Sequence, residues 1–236
     1  MIVTPIKTRI FREGDNPFDF VTQYIKHLPE ESIVVVTSKI IALAERRTAV
    51  IENIRTKEKL IKAESDVAVP TKYVWLTIKD GMVMASAGID ESNAEGKLIL
   101  LPKDSYKVAT QLRKQLQKKF KVKRLGVILT DSRTMPLRAG VTGVALGYAG
   151  IKGIRDYRGL PDIFGRTFKF SQTNVADGLA AAAVLVMGEG AERYPLALIR
   201  SAPVVFADRV RRAETRIPLE DDMYLPFLAT LKKSKD

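Results

Sequence analysis

The chain has no cysteine and a single histidine, His27, which excludes disulfides, thiolate metal sites and multi-histidine metal centres. The lack of cysteine fits a reducing compartment. Aromatic residues make up 7% of the 236 positions, and the basic segments carry no interleaved stacking rings. Together with the absence of zinc-finger and RNP patterns, this argues against a nucleic-acid module. The longest apolar run, Leu179 to Met187, falls far short of the roughly 20 residues that span a bilayer. The start, Met1 to Lys7, lacks the basic and apolar segments of a signal peptide, and Pro5 interrupts it early. A soluble cytoplasmic protein without membrane contact is expected. No G-x-x-x-x-G-K-[ST], Rossmann fingerprint or G-x-S-x-G is present, which disfavours P-loop, dinucleotide and serine-hydrolase chemistry. His27 reads as a structural or exposed residue of an amphipathic helix before Pro29.

What is present is ordinary globular material, 46% hydrophobic and 28% charged, enough for a sizeable core. No linker, low-complexity tract or long repeat divides the chain, so one α+β unit over residues 1–236 is expected, with mixed sheets and packed helices in one or two lobes. Net charge is +12, with basic clusters at Arg113 to Arg124 and Arg209 to Arg216 that could attract an anionic partner. The first cluster reads as a solvated helix face. Lys232 to Asp236 reads as a frayed tail.

Local patterns predict the elements. Ile33 to Thr37 (IVVVT) suits a buried strand, and Ser38 then sits near the N-cap of a helix running to Glu45. Such a strand end can hold phosphates through backbone N–H groups with Lys39 alongside, although a capped helix with a surface lysine fits equally well. Alternation from Lys72 to Ser86 around Asp80-Gly81 predicts a hairpin that delivers the AGIDESN segment at its exit. Asp104 and Ser105 cap a predicted helix to about Phe120, and Leu125 to Thr130 reads as a strand with Asp131 at its end. Seven glycines from Gly140 to Gly165 predict close backbone approaches, bulges and loops. Asn174 to Met187 predicts a buried helix stopped at Gly188, followed by a strand over Pro195 to Ile199.

Three segments carry the candidate chemistry: Ala87-Gly88-Ile89-Asp90-Glu91-Ser92-Asn93, Thr130-Asp131-Ser132, and Met187-Gly188-Glu189. Each sets hard oxygen donors beside small or glycine residues, which suits Mg²⁺ or Mn²⁺ bridging phosphates. Isolated aspartates after strands are more often turn or cap residues, so each segment alone is weak.

As an ordered set, with Val36 to Ile40, the DSRTMPLRAG segment, Asn174 to Asp177 and Pro195 to Arg200, they resemble the coenzyme F420-0:L-glutamate ligase family. The resemblance implies that family's α+β fold, an intertwined homodimer, and a metal-dependent, GTP-using γ-glutamyl ligase acting on F420-0 and L-glutamate through an acyl phosphate. By residue-by-residue correspondence it implies Asp90, Asp131, Ser132 and Glu189 as metal ligands. It implies Ser38, Lys39, Asn93 and the stretch Met187, Gly188, Glu189, Gly190, Ala191, Glu192, Arg193 and Tyr194 as nucleotide-binding. Arg138 and Lys39 are candidates to stabilise charge on phosphates or acceptor. ATP in place of GTP, and K⁺ as a helper ion, stay open.

The chain departs from the family pattern where D-T-x-G-R-P-W-R-x-G becomes Asp131 to Gly140 (DSRTMPLRAG). Met135 and Leu137 replace an arginine and a tryptophan, which predicts an altered acceptor pocket. Leu43 stands at a usual lysine, with Arg46 or Arg47 as candidate replacements, and Thr8 to Phe11 lacks the family's Gly-x-Pro text. A tetrahydrofolate γ-glutamyl ligase is the competing enzyme reading. A non-catalytic nucleotide- or nucleic-acid-binding relative is the competing reading of another class.

Overall fold

The structure is a computed structural model that describes residues 1–50, 53–212 and 214–229. The predicted tail at Lys232 to Asp236 lies outside these residues. In chain order the elements are β1 (Ile2–Ile6), α1 (Pro17–Tyr24), β2 (Ser32–Thr37), α2 (Ser38–Ala44), β3 (Thr48–Val50), α3 (Ile54–Ala63), β4 (Val67–Pro70), β5 (Trp75–Lys79) and β6 (Met82–Ala85). There follow β7 (Lys97–Ile99), α4 (Ser105–Phe120), β8 (Leu125–Thr134), β9 (Val141–Ala149), β10 (Ile154–Asp156), β11 (Gln172–Asn174), α5 (Val175–Met187), β12 (Leu196–Arg200) and α6 (Leu225–Leu228). The α+β expectation holds. No described helix is long and apolar enough to cross a membrane.

The centre is a five-stranded sheet in the order β1-β12-β2-β8-β9, in which β2 and β8 run parallel and the other neighbours antiparallel. The β-branched run on β2 is buried on both faces, as a central strand requires: Ile33, Val34, Val35 and Val36 have no exposed surface. Helices α1 and α4 cover one face with Phe20, Val21, Leu112 and Leu116 against Val34, Val36, Val127 and Leu129. The other face packs Ile33, Val35 and Ile128 under Leu179, Ala180 and Ala183 of α5. The small sheets β3-β7 and β4-β5-β6 accompany α3, with a separate apolar cluster of Ile61, Ala87, Ile89, Leu98 and Leu100.

Caps set the helix starts. Asn16 accepts from Phe18 and Asp19 N–H groups at α1, Asp104 from Lys107 at α4 and Asn174 from Asp177 at α5, while Gly188 (φ 77°) ends α5. The predicted hairpin is β5-β6, turning at Asp80 (φ 52°) and Gly81 (φ 72°).

Ser38 sits next to the N-cap as expected, as the first residue of α2, with Thr37 in the cap position and making no side-chain hydrogen bond. Four expectations are corrected. Asp131 does not end its strand, because β9 continues the ladder with Asp131 opposite Val144 and Ser132 opposite Gly143 after an irregularity at Leu129/Thr130. The glycine-rich segment opens with a nine-residue strand, β9. Its close approaches are as expected: a Cβ at Gly143 would lie 2.4 Å from the Ala180 carbonyl oxygen of α5. His27 is exposed and lies beyond α1, which stops at Tyr24. The first basic cluster is also not wholly solvated, since Arg113 is buried, donating to the Leu125 carbonyl at 2.7 Å and to Asp208 at 2.8 Å.

Candidate functional site

A cavity of about 780 Å³ opens at the C-terminal end of β2, where its parallel pairing with β8 stops at Thr37 and Thr130. Such strand ends are where open sheets leave backbone groups and loop side chains free to meet a ligand. From β2 and α2 come Thr37, Lys39, Ile40 and Leu43; from β8, Thr130, Asp131 and Ser132; from the end of α5, residues 187–195. The walls are completed by residues 8–13, by Asp90, Asn93, Ala94 and Glu95, and by Lys97 and Ile99.

Backbone geometry delivers the acidic segment after β6. Ser86, Ala87 and Gly88 turn through left-handed conformations, and a Cβ at Gly88 would stand 2.6 Å from the Leu101 side chain, so only glycine fits there. Asp90 is then pinned by paired backbone bonds with Ile99 of 2.9 and 2.8 Å. Asn93 (φ 54°) donates its side-chain amide to the Gly190 carbonyl at 3.3 Å, tying this segment to the loop after α5. That loop folds on itself, with the Gly190 N–H donating to Glu192 Oε2 at 2.8 Å.

The charges at the site are unevenly balanced. Lys39 Nζ lies 2.7 Å from Asp90 Oδ2 and 2.9 Å from Ser92 Oγ, and the Ser92 N–H donates to Asp90 Oδ1 at 2.7 Å. Burial opposes ionisation of Asp90, but the bonds from Lys39 and Ser92 outweigh it and hold the carboxyl below its ordinary value. Asp131 lacks such a partner. Burial, reinforced by the nearby charge of Asp90, pushes its carboxyl up to about 6 despite the Ser132 N–H and the cations of Arg133 and Lys39. Ser132 Oγ donates to Glu189 Oε2 at 3.2 Å.

All four predicted metal ligands thus border one cavity, although they come from segments some 40 to 60 residues apart. They do not converge on one point: among the described residues no three acidic or histidine side chains form a group able to hold a metal ion. The donor chemistry nonetheless fits a hard divalent cation, since the carboxylates of Asp90, Asp131 and Glu189 and the Ser132 hydroxyl all border the cavity, with Lys39 and Arg133 as the cations already beside Asp131.

Of the predicted nucleotide residues, Lys39, Asn93 and every residue from Met187 to Tyr194 line the cavity. Ser38 is buried behind it, 3% exposed. Arg138 is not among the lining residues; it stands exposed in the turn between β8 and β9, beside Met135 and Leu137, which are likewise exposed. Arg46 and Arg47 do not line the cavity next to Leu43. Arg47 instead donates to Glu64 at 2.6 Å and to the Leu101 carbonyl at 3.1 Å. Residues 8–13 form a wall despite lacking the expected text, and Lys97 and Glu95 were not foreseen. No local motif marks them, because long-range contacts bring them to the cavity: the β3-β7 pairing, the ladder of β1 with β12, the Thr8 N–H to the Arg193 carbonyl and the ion pair of Lys97 with Glu13.

Comparison with known proteins gives a consistent result. A family model described as F420-0:Gamma-glutamyl ligase matches residues 5–201. A protein of Methanococcus maripaludis named coenzyme F420:L-glutamate ligase is 32% identical over 212 residues, covering 82% of this chain and 85% of its own. Proteins of the same name are 38% identical over 165 residues in Methanocaldococcus jannaschii (70% of this chain, 66% of that one) and 31% identical over 245 in Methanosarcina acetivorans (96% of each).

Proposed function

The chain belongs to the F420-0:gamma-glutamyl ligase family, and we propose that it joins L-glutamate to the terminal carboxylate of coenzyme F420-0 with GTP as the energy source. The observation that carries this reading is the gathering of Asp90, Asp131, Ser132 and Glu189 around one cavity with Lys39 and the glycine-containing loop from Met187 to Tyr194.

Amide formation from a carboxylate needs a better leaving group than oxide. In the proposed course, an acceptor carboxylate oxygen attacks the γ-phosphorus of GTP, and GDP departs. The glutamate amine then attacks the acyl carbon, inorganic phosphate leaves, and the amine loses its proton. Bound Mg²⁺ or Mn²⁺ would neutralise phosphate charge at the cavity, held by Asp90, Asp131, Ser132 and Glu189.

The chain's own residues supply the rest. Lys39 exchanges Asp90 for a phosphate oxygen, keeping one ion pair while delivering charge to the nucleotide. The loop around Gly188 and Gly190 borders the cavity, and a triphosphate approaching its backbone would have to displace the Glu192 carboxylate that accepts from the Gly190 N–H. A homodimer is part of the reading. Met135, Leu137, Ile163, Phe164 and Phe170 are exposed apolar side chains that a second copy would cover. Arg138, lying outside its own cavity, would act on the acceptor only from the turn it occupies.

The test follows the oxygen. With F420-0 labelled by ¹⁸O in its reacting carboxylate, one labelled oxygen must appear in the released phosphate. Glutamyl transfer with unlabelled phosphate would overturn the acyl-phosphate route.

A further inference from the structure

Arg133 follows Asp131 by two residues on β8, so the two side chains leave the strand on the same face. Asp131 lines the cavity and Arg133 does not. The guanidinium is half-buried against the β5-β6 hairpin, where Nη1 makes one long contact of 3.4 Å to the Val83 carbonyl. Its Nη2 is buried and makes no hydrogen bond. A buried charged donor without a partner is a standing cost to the fold, and a side chain retained in that state has a spare bonding capacity to give to a ligand.

The surroundings limit which ligand. Burial works against the charge of Arg133, and the carboxylates of Asp131, Asp177 and Asp80 favour it. Val83 is 41% exposed, so the tie to its carbonyl lies near the surface, and its length lets the guanidinium turn outward. A planar fork with free N–H groups matches a carboxylate in a two-point contact, which a lysine ammonium cannot reproduce.

Building on the ligase reading above, we propose that Arg133 binds a carboxylate of a substrate other than the nucleotide as that substrate enters beside Asp131. The nucleotide is accounted for by the cavity, whose lining omits Arg133. Two carboxylate substrates remain, the acceptor and glutamate, and they share the chemistry that Arg133 selects.

The experiment uses the full-length protein with Arg133→Met and Arg133→Lys. Equilibrium binding of F420-0, followed by its fluorescence, and of glutamate and GTP, followed by calorimetry, is read beside KM for each substrate and the melting temperature. Arg133→Met should weaken one carboxylate ligand about 10- to 100-fold. GTP affinity should stay within about twofold and the melting temperature should not fall, while Arg133→Lys recovers part of the loss. Whether F420-0 or glutamate is the ligand that weakens identifies the source of the carboxylate. Unchanged binding of both, or equal losses of all three ligands with a lowered melting temperature, would overturn the proposal. Absence of glutamyl transfer by the parent protein would sink the ligase reading alone, because the binding comparison still decides the role of Arg133. If the parent bound neither carboxylate ligand, the proposal for Arg133 would fall as well.

Discussion

The Lys39 ammonium stands 2.7 Å from Asp90 Oδ2, inside the cavity and between the two segments that carry Asp90 and Asp131. It supplies positive charge at the carboxylate that a divalent ion would otherwise neutralise. In the proposed mechanism the lysine would compete with a metal for Asp90 until a phosphate draws it away.

Replacing Lys39 with methionine should separate these two roles. Divalent metal should bind the nucleotide-free protein more tightly, by about three- to tenfold, because Asp90 loses its internal partner. GTP should bind more weakly, by about tenfold or more, because a charge-assisted contact is gone. Calorimetric titration of Mn²⁺ and of GTP against both proteins checks this, and weaker metal binding to Lys39→Met would contradict it.

The position of Glu189 depends on how closely α5 packs on β9. Gly143→Ala would bring a Cβ to 2.4 Å from the Ala180 carbonyl oxygen and 2.7 Å from the Val184 side chain, forcing the helix away. It should cost about 1–3 kcal/mol. Gly178→Ala lies on the same helix with nothing within 4 Å of the added Cβ, and should stabilise by about 0.5–1 kcal/mol. Urea unfolding of both variants tests the pair; equal effects would refute this account of the contact.

Glu64 joins the end of α3 to β5 and to Arg47. Burial opposes its charge, but bonds from Lys79 at 2.8 Å and Arg47 at 2.6 Å outweigh it, placing its carboxyl below the ordinary 4.5. A carboxyl depressed by folding binds its proton less tightly in the folded chain than in the unfolded one. Its contribution is therefore full above the unfolded value and is lost as pH falls through the folded one. Glu64→Gln should destabilise by about 1–3 kcal/mol at neutral pH. The gap from the parent should close as pH drops below 4.5. Denaturation curves taken across that range decide it, and a gap independent of pH would count against the ion pairs.

The parts of this fold legible in the sequence are those set by short-range chemistry. The IVVVT run of β2, the Asp80-Gly81 turn, the Asp104 cap and the stretch from Asn174 to Gly188 each carry their own signal, and each forms where it was expected. The errors arise where a distant partner decides. Asp131 lies within its strand because β9 pairs along it, and Arg113 is buried because Leu125 and Asp208 offer it acceptors. The order of acidic segments disclosed the candidate site. Its remaining wall, residues 8–13 with Lys97, has no such text and is assembled by contacts between distant segments, among them the Thr8 N–H to the Arg193 carbonyl and the ion pair of Lys97 with Glu13.

The central claim is that this cavity performs glutamyl transfer, and the product tests it most directly. Purified protein is incubated with Mn²⁺, GTP, L-glutamate and either F420-0 or tetrahydrofolate, beside the Asp131→Asn variant, and the acceptors are weighed by mass spectrometry. The variant should fold at least as well as the parent, because burial already resists the charge it removes. The account predicts a glutamyl adduct of F420-0 with the parent and at least a thousandfold loss with the variant, in line with removal of an essential catalytic electrostatic group. An adduct on tetrahydrofolate alone, or undiminished transfer by Asp131→Asn, would contradict it.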